Sequence, residues 1–230
     1  DRITTVKTRV IGNNHQLIRV DEEMESVISA DETEQLLMRI SHLIKTERIH
    51  VIIFEDYDKG LITPALIEKT VKEAAKKKIP VAVDPKKKNF TYYKNVSLFK
   101  PNLKELKEGL KIDFNHRDKK QLQNAVDGLQ KKLNAEIILV TLSELGLYIS
   151  AENFRTIIPA HSRDITDVSG AGDTVISLAA LCVALKLKPE TIAKITNLAG
   201  GLVCEKVGVV PINKKQLLHE CFSLAKKKEL

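Results

Sequence analysis

The stretch Asp164-Ile165-Thr166-Asp167-Val168-Ser169-Gly170-Ala171-Gly172-Asp173-Thr174 concentrates the chemistry of this chain. Gly170, Ala171 and Gly172 make a small-residue turn that runs into an apolar helix (Val175, Ile176, Leu178, Ala179), with Asp173 in its first turn. Glycines let backbone approach an anion closely. N–H groups at a helix start, at the positive end of its dipole, attract negative charge. A carboxylate beside them accepts the proton of an attacking hydroxyl. The combination suits phosphoryl transfer, with the amides holding the equatorial oxygens of the moving group. An ordinary helix start also uses glycine and an acid. The position after the last strand pair and the apolar helix behind it favour the chemical reading.

Elements that position this turn follow from periodicity. Thr5–Val10 and Gln16–Val20 alternate around the turn Gly12-Asn13-Asn14 and predict a hairpin poor in large apolar side chains. Asp31 with Glu34 fits a capping box opening a helix that aligns Leu36, Leu37, Ile40, Leu43 and Ile44. Ile49–Phe54 reads as a strand buried on both faces. Thr63-Pro64 starts the next helix. Pro80–Val83, Ser97–Lys100 and Ile137–Thr141 read as further strands, with an amphipathic helix from Arg117 to Leu133. Gly146–Ser150 and Phe154–Ile158 read as a hairpin, and helices begin at Gly170, Pro189 and about Asn213. Strand–helix repetition predicts an α/β fold, a mainly parallel sheet flanked by helices. Such sheets bind ligands beyond the carboxyl ends of their strands. Glu55-Asp56-Tyr57, Asp84-Pro85-Lys86, Pro101-Asn102 and Thr141 all fall at those ends.

Composition narrows the class. A chain of 230 residues with 43% apolar residues has material for one sizeable core. No apolar run approaches the roughly 20 residues of a membrane span. The start is polar and lacks methionine, so a fragment is expected. Cys182, Cys204 and Cys221 are widely spaced, without metal-ligand spacing, and predict reduced thiols in a cytoplasmic protein. The net charge of +7 raises nucleic-acid binding. Against it, the lysine clusters at 76–78, 86–88 and 226–228 are scattered, and four Tyr, six Phe and no Trp offer little for base stacking. Neither a nucleic acid nor a membrane partner is expected.

Asp-x-x-Gly-Ala-Gly-Asp-Thr, here Asp167 to Thr174, resembles the C-terminal signature of the ribokinase-like, or PfkB, carbohydrate kinases. The resemblance covers almost the whole chain. It implies a Rossmann-like α/β core over residues 23–230 and a truncated β lid over residues 1–22. It also implies ATP and Mg2+ as co-substrates, Asp173 as catalytic base, and the Gly170, Ala171 and Gly172 amides as an anion hole. Asn102-Leu103-Lys104-Glu105 resembles the family's Asn-x-x-Glu motif, implying nucleotide contacts and magnesium held by Glu105 and Asn102, directly or through water. An amide oxygen and a carboxylate suit that hard cation, yet the same spacing is a helix cap. Thr141 to Gly146 resembles the family's phosphate-lining Thr-x-x-x-x-Gly stretch, though a turn also calls for Gly146. Asn197 to Gly201 lies where the family places the adenine wall; close helix packing explains its small residues equally well.

A narrower resemblance, to the heptose-phosphate kinases of lipopolysaccharide synthesis, rests on three segments. They are the Thr4–Asp21 hairpin, Asp56-Tyr57-Asp58-Lys59-Gly60, and Asp84-Pro85-Lys86. It implies phosphorylation of O1 of D-glycero-D-manno-heptose 7-phosphate. A phosphorylated substrate calls for a basic clamp, with Lys7, Arg9, Arg19, Lys59 and Lys86 as candidates and Asp56 in the same substrate set. Charged edge protection is the competing reading of the hairpin cations; the clamp is preferred for Arg9 and edge protection for Lys7. The resemblance also expects upstream lid strands and a glycine-rich sugar-binding segment. It allows a homodimer through the lid and a fused or separate nucleotidyltransferase partner. The alternatives are a kinase for ribose, fructose or a nucleoside, and a nucleotide-binding domain without turnover.

Overall fold

Runs rich in β-branched residues alternate with helical runs, and the computed structural model assembles them into a two-stranded hairpin and a six-stranded sheet. The structure describes residues 2–13, 15–161 and 163–227. Asn14 of the expected turn and Lys228 of the last lysine cluster lie outside them. The hairpin pairs β1 (Val6–Gly12) with β2 (His15–Glu22), Arg9 standing opposite Arg19. Then follow α1 (Ala30–Thr46), β3 (Ile52–Glu55), α2 (Pro64–Lys76), β4 (Val81–Asp84), β5 (Leu98–Phe99), α3 (Leu103–Leu110) and α4 (Lys119–Leu133). β6 (Ile137–Thr141), β7 (Leu147–Ala151), β8 (Phe154–Ile158), α5 (Ala171–Ala184), α6 (Pro189–Cys204) and α7 (Lys214–Lys226) complete the chain.

Sheet order is β3-β4-β5-β6-β7-β8. The first four strands are parallel; β6, β7 and β8 pair antiparallel. The expected parallel ladder therefore ends at β6. Only Glu152-Asn153 links β7 to β8, too short for a parallel crossover. Side chains alternate between two cores. Val83, Phe99, Ile138 and Val140 face α2, α3 and α4, while Ala82, Leu98, Leu139 and Ile149 face α5 and α6.

Two local expectations shift. β3 is the sheet edge rather than a strand buried on both faces, and Ile53 is 40% exposed. The capping box of α1 is Ser29 with Glu32, two residues before the expected Asp31 with Glu34. Ser29 Oγ accepts the Glu32 N–H (3.1 Å), and the Glu32 carboxylate accepts the Ser29 N–H (2.7 Å). Tertiary packing chooses between the two equally spaced pairs. Ile28 is buried, with its N–H on the Gly60 carbonyl at 3.0 Å, so the helix must begin just after it.

Gly146 turns β6 into β7 with φ of 92°, and a Cβ there would collide with the Ile158 carbonyl oxygen. We expect Gly146→Ala to lower stability by at least about 2 kcal/mol, from left-handed backbone and steric conflict together. Gly128→Ala in α4, where a Cβ meets nothing within 4 Å, should raise stability by about 0.5–1 kcal/mol. Urea denaturation of the two variants checks both signs.

Candidate active site

Three parallel strands end in charged residues at one edge of the sheet. Glu55 closes β3, Asp84 closes β4, and Lys100 follows β5. Lys100 and Asp84 are both buried and form an ion pair at 2.8 Å. A buried cation needs such a partner, since unpaired burial costs several kcal/mol. The pair uses Asp84 Oδ2, leaving Oδ1 buried without a hydrogen bond.

α5 brings the glycine turn over this pair. A Cβ on Gly172 would lie 3.5 Å from Lys100 Nζ and 3.8 Å from Asp84 Oδ2. Gly170 adopts φ of 80°, and no side chain caps the helix. The Ala171 N–H turns back to the Val168 carbonyl at 3.3 Å. Among the described residues, the Gly172 and Asp173 N–H groups meet no acceptor. Of the Gly170–Gly172 set expected above, Gly170 and Gly172 thus keep open N–H groups among the described residues while Ala171 is engaged, and Asp173 adds a further open donor. Asp173 is exposed, and one carboxylate oxygen each from Glu55, Asp84 and Asp173 lie within 4.8 Å of one another.

The segment entering the turn is tied to the end of α6. Thr166 and Asp167 donate their N–H groups to the Cys204 carbonyl at 2.8 and 3.1 Å. The Asp167 carboxylate accepts the N–H groups of Ser169 and Gly208, each at 2.9 Å. Ser169 leads in holding that carboxyl below its usual range. Arg163 pairs with Glu205 and Glu220, joining the same segment to α6 and α7.

Residues 4–216 match the pfkB family carbohydrate kinase profile. The chain belongs to that family. It is 33% identical over 220 residues to the bifunctional protein HldE of Geotalea uraniireducens, covering 95% of this chain and 44% of that protein. It is 34% identical over 225 residues to the HldE of Sulfurimonas denitrificans, covering 98% and 46%. The chain thus spans less than half the length of these curated relatives. A crystal structure of Escherichia coli phosphofructokinase-2 in complex with substrates and products superposes with a TM-score of 0.77 at 16% identity, covering 96% and 70%. That likeness supports the ribokinase-like fold, the mixed sheet included.

Within this family framework, the expected site residues divide. Asp173 and Gly172 gather with Asp84 at the strand ends, and Thr141 stands beside Asn102 through an isolated parallel bridge. Asn102 and Glu105 form a complete capping box: Asn102 Oδ1 accepts the Glu105 N–H and the Glu105 carboxylate accepts the Asn102 N–H, both at 2.8 Å. The other Glu105 oxygen is paired with Lys86. Leu103 packs on the core, and the Lys104 side chain is exposed. Asn197 donates to the Pro159 carbonyl (2.8 Å), and the Arg163 side chain crosses the bare face of Gly201.

The clamp cations separate in the same way. Lys7 pairs with Asp21 and Glu23, Arg19 with Asp21, and Lys59 with Glu23 and Glu25. Arg9 makes no ion pair among the described residues, and its charge acts on Asp167 of the signature. Asp56 is buried and accepts bonds from Tyr93, Asn89 and Asp58, which removes it from reach of a substrate. Sequence reasoning passed over Lys100 and assigned no role to Glu55 or Asp84. Their signal was a charge at the last position of an apolar strand.

Hard oxygen donors with a buried, unpartnered Asp84 oxygen fit a magnesium ion better than the filled oxygens of Asn102 and Glu105. Burial, then the charges of Asp84 and Asp173, push the Glu55 carboxyl up to about 8. Below that value the folded chain keeps a proton on Glu55 that the unfolded chain loses above the ordinary carboxyl range. Stability should therefore fall as pH rises through this window. Glu55→Gln removes the effect. We expect its thermal midpoint to decline less than the wild type's between about pH 6 and about pH 9. Parallel declines in metal-free calorimetry would contradict this.

Proposed function

We propose that this chain is the kinase part of an ATP-dependent sugar-phosphate kinase, acting on O1 of D-glycero-D-manno-heptose 7-phosphate. One observation carries the reading: Asp173 and a helix start with open amides stand directly against the strand-end charges of Glu55, Asp84 and Lys100. Asp173 takes the proton of the acceptor hydroxyl as it attacks the γ-phosphorus of ATP, the bond from that phosphorus to the β–γ bridging oxygen breaking as ADP leaves. The Gly172 and Asp173 N–H groups hold the equatorial oxygens, and buried Lys100 beneath them adds fixed positive charge. Glu55 and Asp84 would hold magnesium, which when bound offsets the charge of the phosphates. Thr141 and Asn102, brought together at the ends of β5 and β6, are assigned to the nucleotide side.

Support for the acceptor comes from the three quoted motifs, from the HldE relatives, and from Arg9. Arg9 is the clamp candidate left without an ion pair among the described residues, so it is assigned to the sugar phosphate. The relatives are named bifunctional, which supports a nucleotidyltransferase joined to this kinase part. No helix among the described residues is long and apolar enough to cross a membrane, and the three cysteines are free. Both fit the proposed cytoplasmic setting.

The deciding experiment is a product assay of the complete polypeptide with ATP, Mg2+ and a panel of free and phosphorylated sugars. We expect turnover of heptose 7-phosphate in preference to ribose, fructose and nucleosides. Asp173→Asn should lower kcat by at least about 100-fold, within the range of general-base catalysis, with ATP affinity nearly unchanged. Equal turnover of unphosphorylated sugars would overturn the acceptor, and an active Asp173→Asn would overturn the base.

A homodimer through the lid belongs to the same proposal. Val6, Val10, Ile18 and Val20 share the outer face of the hairpin and are 45–55% exposed. An apolar sheet face of this kind invites a matching copy. Sedimentation of the complete polypeptide should show a dimer that Val10→Lys with Val20→Lys converts to monomer. A monomeric wild type would remove the lid from the interface.

A further inference from the structure

Tyr57 is an exposed aromatic residue beside these strand ends, and nothing assigned so far uses it. It follows Glu55 and Asp56 at the carboxyl end of β3 and is 49% exposed. An exposed tyrosine alone is unremarkable in a folded protein. The anchoring on either side of it is not.

Asp56 donates its N–H to the Asp84 carbonyl at 3.0 Å. Its buried carboxylate accepts the Asp58 N–H (2.9 Å), the Tyr93 hydroxyl (2.6 Å) and the Asn89 amide (3.1 Å). Asp58 sits at φ of 59° and accepts the Lys88 N–H at 3.2 Å. Gly60 at φ of 80° passes so close to the Ser26 carbonyl that no Cβ fits. A buried carboxylate with three donors thus immobilises the backbone on both sides of one outward ring. That is far more fixation than a solvated loop tip needs.

Position identifies what the ring faces. Partial burial first, then the negative charges of Asp173, Glu55 and Asp84, hold its phenol above the usual range, with Lys86 opposing them. Tyr57 stands two residues beyond Glu55, whose carboxylate lies within 4.8 Å of those of Asp84 and the proposed base Asp173, whereas Asn197 and Gly201 are engaged with Pro159 and Arg163. An aromatic ring carried on fixed backbone offers an apolar face and a polar tip at small entropic loss. A sugar presents the complement, a C–H face ringed by hydroxyls.

We propose that Tyr57 is the platform for the acceptor sugar. Its ring packs on the C–H face of the sugar and its hydroxyl bonds a sugar hydroxyl, presenting the attacking oxygen to Asp173. This rests on the kinase reading above. It adds a specificity-determining residue that binds sugar and leaves ATP untouched.

The test uses the complete polypeptide with Tyr57→Ala and Tyr57→Phe, assayed with heptose 7-phosphate and with fructose 6-phosphate. KM for sugar and for ATP are measured separately, together with calorimetric binding of each sugar phosphate in the absence of ATP. Tyr57→Ala should raise the sugar KM by about tenfold or more and weaken calorimetric binding in parallel, with the ATP KM within about twofold. Tyr57→Phe should recover most of that loss. An unchanged sugar KM in Tyr57→Ala, or equal rises for sugar and ATP, overturns the platform. If Asp173→Asn is inactive in the same assays, the kinase reading survives that failure. If wild type neither binds nor phosphorylates either sugar, that reading falls and the platform with it.

Discussion

The buried pair of Lys100 and Asp84 is the constraint around which this site is organised. Both side chains leave water at the ends of adjacent parallel strands, 2.8 Å apart. Neither tolerates burial without the other. The pair needs tight packing above it, and Gly172 provides it by having no side chain between the helix start and the charges. The same absence leaves the first-turn amides of α5 open. One electrostatic requirement therefore places a cation under an anion site and leaves a spare carboxylate oxygen beside Glu55 and Asp173.

Such a turn must not collapse onto its own charges, and the chain holds it from outside. Asp167 receives two backbone N–H groups, the Cys204 carbonyl receives two more, and Arg163 reaches Glu205 and Glu220. These bonds come from the loop, from the C-terminal end of α6 and from the middle of α7. The helix start is thereby positioned without using the open donors of its first turn. Preorganisation of this kind is what electrostatic stabilisation of a phosphoryl transition state requires.

The lid is attached by a second set of bonds. Arg2 donates to the Met24, Ser26 and Lys59 carbonyls, and Lys59 pairs with Glu23 and Glu25. These contacts join the hairpin exit to the loop after β3, which also carries Tyr57. Lys59 therefore serves the base of the lid, its ammonium pushed up to about 12 by Glu23 and Glu25. The base of the lid and the loop that carries Tyr57 are thus tied by the same bonds.

Much of this was legible in the chain itself. Alternating or continuous apolar runs located the strands of the described residues, and Thr63-Pro64, Asn102 with Glu105 and the glycine turn located helix starts, because these signals act over a few residues. The family signature followed from the short segment Asp167 to Thr174. Tertiary structure alone decided three things. It made β3 an edge, because edge and centre differ only in what lies beside a strand. It chose Ser29 over Asp31 as the cap, because Ile28 had to reach the core. It sorted the charges, filling Glu105, Asp56 and Lys59 with partners while bringing Glu55, Asp84, Lys100 and Asp173 together, because pairing depends on distances between residues far apart in the chain.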